Sequence, residues 1–270
     1  MTLRALCLLT ACVLCAATLS ACAPQAAAPS PSPTPAPSAT AVPSPTPTPT
    51  PEPTPEPYDY SQPAPEGDEV DPDWFQDAVF IGDSRTDGLR LYSGISGVDF
   101  ICYKGLTSFE FNNKKCISSD GGKITALEAL QKKQYAKVYL MLGLNELGYS
   151  TEEFSAAYAA LIDEVRAAQP DAVLYFQSVV PINTQKAKEK NQPAYVTNEK
   201  IAAFNAEIAR LAEEKKVIYL DVAAGLTDET GQLPYDSATD GIHFTKDWYK
   251  QWFTYLRLHT VDPERLEVAP

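Results

Sequence analysis

The chain has 270 residues, 44% of them hydrophobic, with 22 basic against 35 acidic side chains and a formal net charge of −13. That balance repels phosphate backbones and anionic headgroups at long range, which disfavours nucleic-acid binding and work on anionic bilayers. Two histidines, His243 and His259, and no Cys/His cluster at metal-ligand spacing argue against a metal site, and no cofactor is expected.

The first residues read as a secretory signal, 1–21. Arg4 supplies a positive start, and Ala5 to Leu19 form an apolar run too short for a comfortable membrane span. The run ends in Leu19-Ser20-Ala21-Cys22, which resembles a bacterial lipobox. In signals of that kind cleavage precedes the cysteine, which then carries lipid. The other reading is an ordinary signal peptide cut near Ala21. A lipidated Cys22 would hold the protein on the extracytoplasmic face of the bacterial membrane, because several acyl chains together give stable anchoring. Residues 23–66 carry 16 of the 23 prolines, mixed with Ala, Ser and Thr. Such a tract builds no core and favours extended polyproline II, so 22–66 is expected to be a disordered linker reaching on the order of 130 Å. One domain, 67–270, is left, and a monomer is expected.

Within the domain, Ala78 to Gly82 reads as a buried strand ending in Gly-Asp-Ser, followed by a helix over Thr86 to Tyr92. Val98 to Tyr103 is a second strand, Lys123 to Lys133 a helix and Lys137 to Leu142 a third strand. Thr151 to Ala168 is a strong helix capped by Thr151, with Phe154, Tyr158, Leu161, Ile162 and Val165 in one stripe. Ala172 to Val180 is a fourth strand, Asn198 to Lys215 a helix, Val217 to Val222 a fifth strand and Lys246 to Leu258 a closing helix. Strands alternating with long helices predict a mostly parallel five-stranded α/β sheet covered on both faces. Sites in such sheets lie beyond the carboxyl ends of the strands. Ser84, Gly105 and Asn145 each follow a strand directly, and Asp240 and His243 follow the fifth after a longer loop.

A serine hydroxyl needs a base to become a nucleophile, and histidine, titrating near neutrality, is the usual one. Asp240 lies three residues before His243, where a carboxylate can fix the imidazole tautomer. Oxyanion donors are available from the backbone N–H groups of Ser84 and Gly105 and from the side-chain amide of Asn145. Read singly, Ser84 is equally a helix N-cap, Gly105 a turn glycine and Asn145 a loop cap. Arg85 is a candidate substrate contact, or a partner in a surface salt bridge. Glu146 is a second candidate contact, through the loop that presents Asn145. Trp248, Tyr249 and Trp252 fit a sugar-binding rim or, more simply, a core face. Cys102 and Cys116 form either a disulfide, worth about 3 kcal/mol for a short loop, or two separate thiols.

Four blocks in this order, Gly82-Asp83-Ser84, Gly105, Gly143-x-Asn145 and Asp240-x-x-His243, resemble those of the SGNH/GDSL hydrolases. The resemblance covers nearly the whole domain. It implies a flavodoxin-like three-layer α/β/α sandwich and ester hydrolysis through an acyl-enzyme. Ser84 would be the nucleophile, His243 the base and Asp240 its partner, with Asp83 structural. Two positions depart from the common pattern: Arg85 stands where many members have an aliphatic residue, and Glu146 where Asp is commoner. The implied function is a membrane-tethered serine esterase that removes a small acyl group, acetyl above all, from a cell-wall or other carbohydrate. The same residues would also serve an O-acyltransferase of wall polysaccharide, a lysophospholipase or a thioesterase. A catalytically silent carbohydrate-binding lipoprotein is the non-enzymatic alternative.

Overall fold

The computed structural model describes residues 55–266, so the signal segment, Cys22 and the linker up to residue 54 lie outside the described residues. A five-stranded, all-parallel sheet forms the centre. Its strands are β1 (Ala78–Gly82), β2 (Asp99–Cys102), β5 (Lys137–Met141), β6 (Val173–Gln177) and β7 (Ile218–Leu220), in the order β2-β1-β5-β6-β7. This is the doubly wound arrangement in which the strand order reverses at β1. The reversal opens a crevice at the carboxyl ends of β1 and its neighbours.

The period of two in each strand divides its side chains between two cores. Val79, Ile81, Val138 and Leu140 face one layer, built by α2 (Ala126–Leu130), α3 (Thr151–Ala168) and α5 (Asn198–Glu214). Phe80, Tyr139 and Tyr175 face the other, built by α1 (Ser84–Tyr92), α6 (Val222–Leu226) and α7 (Lys246–Leu258). In-register pairing stacks these aromatics across the strands: Phe80 on Tyr139 at 4.8 Å and Tyr139 on Tyr175 at 4.5 Å between ring centroids. The sandwich is three-layered, as the sequence led us to expect.

Helix boundaries follow local chemistry. Ser150, not Thr151, caps α3: its side chain accepts from Glu153 N–H, and the Glu153 carboxylate accepts in turn from Ser150 N–H. The predicted stripe on α3 is buried in full, with Phe154, Leu161, Ile162 and Val165 each contributing about 1.5–3 kcal/mol, and Phe154 stacks on Phe204 of α5 at 3.8 Å. The helix expected over Lys123 to Lys133 is shorter. Its first residues belong to a small hairpin, β3 (Ile117–Ser119) and β4 (Gly122–Ile124), which turns at Asp120–Gly121 and enters β4 at Gly122 with φ of +118°. A helix α4 (Thr184–Glu189), absent from the sequence reading, follows β6, capped by the Asn183 side chain.

The boundary at residue 66 falls too late. Tyr58 and Tyr60 are buried in the second core, Tyr58 N–H donates to the Arg265 carbonyl, and Ala64 N–H to that of Tyr219. Two tyrosines give this stretch enough apolar surface to pack despite its prolines. At the other end α7 lies against α1, and Gly88 allows it: a Cβ there would sit 2.1 Å from the Tyr249 ring. The end of the domain is thereby fastened beside its beginning, which the site requires. Among the described residues no helix is long and apolar enough to cross a membrane.

Candidate active site

Ser84 is the first residue of α1, immediately beyond β1. Capping of that helix falls to Asp83, whose carboxylate accepts from Arg85 N–H at 2.8 Å, so the Ser84 hydroxyl is free for another partner. The turn is tight: a Cβ on Gly82 would lie 2.1 Å from Thr86 Oγ1 and 2.6 Å from the Met141 carbonyl. Ser84 Oγ lies 2.8 Å from His243 Nε2, and His243 Nδ1 lies 2.8 Å from Asp240 Oδ2. The sequence positions 84, 240 and 243 are thus joined in one hydrogen-bonded chain.

Asp240 does more than meet the ring. Its Oδ1 accepts from the N–H groups of Ile242 and His243, at 2.9 and 2.8 Å, which folds the loop around the carboxylate. Burial alone would push this carboxyl up. The His243 ring, the two backbone donors and the attraction of His243 outweigh it and hold the group well below the usual range. An ionised Asp240 only accepts, so Nδ1 carries the proton and Nε2 offers its lone pair to the Ser84 hydroxyl. Gly241 makes the turn possible. Its φ is +91°, and a Cβ there would stand 2.3 Å from the Ala187 nitrogen.

Gly105 sits in a turn closed by Leu106 N–H on the Tyr103 carbonyl, with φ of +80° at the third position, where a type II turn needs glycine. Asn145 borders the same cleft as Ser84, Gly105 and His243. Its amide donates to Asp83 Oδ2 at 2.8 Å and, more loosely, to the Leu106 carbonyl at 3.3 Å.

Neither candidate substrate contact reaches the cleft. Glu146 is fully buried. Its two oxygens accept from Ser108 N–H at 2.7 Å and Gly143 N–H at 3.1 Å, tying the Gly105 loop to the exit of β5. Burial pushes its carboxyl up to about 7, with Asp83 adding to the rise against the pull of the Ser108 donor. Arg85 is neither a substrate contact nor a surface salt bridge. Only 1% exposed, it donates from Nε and Nη2 to the Ile242 carbonyl and from Nη1 to that of Val180. A side chain that follows the nucleophile along the first turn of α1 points inward, which position in sequence alone does not reveal.

Cys102 and Cys116 are free thiols. Cys102 Sγ turns toward Asp87 on α1 while Cys116 packs into the first core, and burial raises both thiols, Cys102 to about 12. Tyr249 and Trp252 are buried in the second core, and Trp248 packs against it with its indole N–H on the Leu226 carbonyl. His259 stacks on Tyr255 and bonds its carbonyl at the end of α7, away from Ser84. Among the described residues no group of three or more potential ligands could hold a metal.

The cleft over Ser84 has a volume of about 260 Å³ and is walled by Leu144, Pro193, Tyr195, Val196 and Ile242. Its far wall, the segment between α4 and α5, went unnoticed in the sequence. There Gln192 donates to the Asp240 carbonyl at 3.2 Å, and Tyr195 is 55% exposed. Pro193 marks a loop, but nothing in the string marks its approach to residue 240.

Comparison with known proteins agrees with this geometry. Residues 80–251 match the GDSL-like lipase/acylhydrolase family. No curated protein matches the chain. A solved structure from Streptococcus pneumonia, provisionally described as a platelet activating factor, is 26% identical with a TM-score of 0.54, covering 67% of this chain and 82% of its own. A provisionally described acylhydrolase from Bacteroides fragilis NCTC 9343 is 16% identical with a TM-score of 0.52, covering 72% and 88%. At that identity the second likeness concerns the fold alone. The match spans β1 to α7, with the Ser84 turn near one end and the Asp240–His243 loop near the other, and the chain belongs to the GDSL-like lipase/acylhydrolase family of ester-hydrolysing enzymes.

Proposed function

We propose that the protein is a serine esterase of the cell envelope, held to the extracytoplasmic face of the membrane by lipid on Cys22. In this reading it removes short acyl groups, acetyl foremost, from a carbohydrate. The observation that carries the chemistry is the continuous chain Ser84 Oγ, His243 Nε2, His243 Nδ1, Asp240 Oδ2, with 2.8 Å at both contacts.

Ser84 Oγ attacks the ester carbonyl carbon while its proton passes to His243 Nε2. The tetrahedral oxyanion draws on the N–H groups of Ser84 and Gly105. The first turn of a helix has no internal acceptor for its N–H groups, and the Gly105 N–H lies outside its own turn's hydrogen bond. Asn145 joins them by exchanging its 3.3 Å bond to the Leu106 carbonyl for one to the oxyanion, keeping the shorter bond to Asp83. The C–O bond to the leaving alcohol then breaks, and His243 returns the proton to the departing oxygen. Water, deprotonated by the same Nε2, attacks the acyl-Ser84, and collapse releases the carboxylic acid and restores the hydroxyl. Asp240 stays ionised and stabilises the imidazolium formed in each half.

A cleft of about 260 Å³, lined by Leu144, Pro193, Val196 and Ile242 alongside the polar Lys104 and Gln192, suits a short acyl chain on a polar carrier. The Arg4 start, the apolar run, Leu19-Ser20-Ala21-Cys22 and the proline-rich linker support the tethered location. A screen of acetylated xylan, acetylated peptidoglycan and p-nitrophenyl esters of increasing length tests the specificity. The expected result is acetate release from at least one polymer and acetate esters cleaved faster than decanoate. Faster turnover of decanoate would overturn the short-acyl reading.

A further inference from the structure

We infer that Arg85 is a positioning residue that sets the distance between the nucleophile and its base. It is covalently next to Ser84, and its guanidinium meets both neighbours of His243, the Ile242 backbone carbonyl and the Phe244 ring. Nε and Nη2 converge on the Ile242 carbonyl at 3.1 and 2.9 Å, while the Phe244 ring lies 4.9 Å from the guanidinium carbon. Nη1 reaches the Val180 carbonyl at 2.6 Å, anchoring the clamp to the chain leaving β6. One planar group therefore connects three segments: the Ser84 turn, the 238–245 loop and the strand exit beside it.

The other restraints on the loop act from elsewhere. Asp240 shapes it from within, and Gly241 locks it against Ala187 and Asn183, whose N–H donates to the Gly241 carbonyl at 2.9 Å. Of these contacts only the Arg85 clamp runs directly to the element that carries Ser84. An aliphatic side chain in its place would fill space without donating to either carbonyl. A lysine offers one compact ammonium, which cannot reproduce the fork. The buried cation does not touch the cleft, so its effect passes through Ser84 and His243. Because such pairs act only at near-attack separation, a shift of about 1 Å costs on the order of 100-fold.

This inference rests on the esterase reading, and two readouts keep the two separable. Arg85→Ala, Arg85→Lys and Ser84→Ala are compared with the wild type on p-nitrophenyl acetate, with folding checked by circular dichroism. In Arg85→Ala, kcat should fall about 100-fold with KM within about threefold, and tens of millimolar guanidinium, but not urea, should restore about tenfold. Arg85→Lys should fold and lose about tenfold in kcat, which serves as the test if the alanine variant does not fold. Hydrogen exchange, independent of any substrate, should quicken about tenfold in peptides covering 238–245 in either variant and stay unchanged in α3. An inactive wild type would overturn the esterase reading, and exchange would still decide the role of Arg85. Folded Arg85 variants with wild-type kcat, or with unchanged exchange in 238–245, would overturn the positioning role.

Discussion

Asp240 holds His243 at two points, its ring Nδ1 through Oδ2 and its backbone N–H through Oδ1. One carboxylate thus builds the loop and sets the tautomer. Asp240→Asn should separate these effects. The amide oxygen can still accept from the backbone, but an NH2 facing Nδ1 reverses the tautomer and takes the lone pair away from Ser84. The expected loss in kcat is about 10³–10⁴-fold, with the thermal midpoint nearly kept. A loss under tenfold would mean that the base does not depend on Asp240.

Gly241→Ala should be far more damaging than its size suggests. The residue has φ of +91°, and a methyl group would stand 2.3 Å from the Ala187 backbone, which has no room to yield. A destabilisation of about 3 kcal/mol is expected from strain and clash together, read by urea unfolding. Gly105→Ala is the control. It also has positive φ, but nothing lies within 4 Å of its Cβ, so about 1 kcal/mol should suffice.

Glu146 gives the fold a pH dependence of stated sign. In the folded protein burial raises its carboxyl from 4.5 to about 7. Between those values the native state holds a proton that the unfolded chain has released, so stability falls as pH rises through that window. The total is about 3 kcal/mol. Asp83, raised mainly by its own burial, adds a change of the same sign. Glu146→Gln should lose most of the slope between pH 5 and 8 in urea titrations. At pH 5 it should also be about 1–2 kcal/mol less stable, because the amide cannot accept from both Ser108 and Gly143 N–H. An unchanged slope would show that the proton resides elsewhere.

What the string revealed and what it hid follow from the range of the forces involved. Five strands and the long helices were legible because their apolar periods are local, as in Phe154 to Val165. The triad was legible because the chain has only two histidines, and one of them stands three residues after an aspartate and far downstream of a Gly-Asp-Ser turn. Asp83 capping α1 and Asp240 folding its own loop are also near-neighbour effects. Arg85 and Glu146 were misjudged as substrate contacts because their partners lie far along the chain, Ile242 for one and Ser108 for the other. A charged residue in a loop reads as exposed until the fold supplies buried carbonyls or N–H groups to meet it. The hairpin at Ile117–Ile124 was missed for the opposite reason: its strands are three residues each, too short for a period to register. The boundary at residue 66 failed because Tyr58 and Tyr60 find their partners near residue 265 and across the last strand.

In the proposed reaction Ser84 attacks an ester and His243 takes its proton. The decisive measurement is the rate of p-nitrophenyl acetate hydrolysis by the purified wild-type protein, by Ser84→Ala and by His243→Ala. The wild type should show steady turnover, and Ser84→Ala and His243→Ala should each be slower by about 10³-fold or more. A folded variant as fast as the wild type would contradict the role given to its missing side chain.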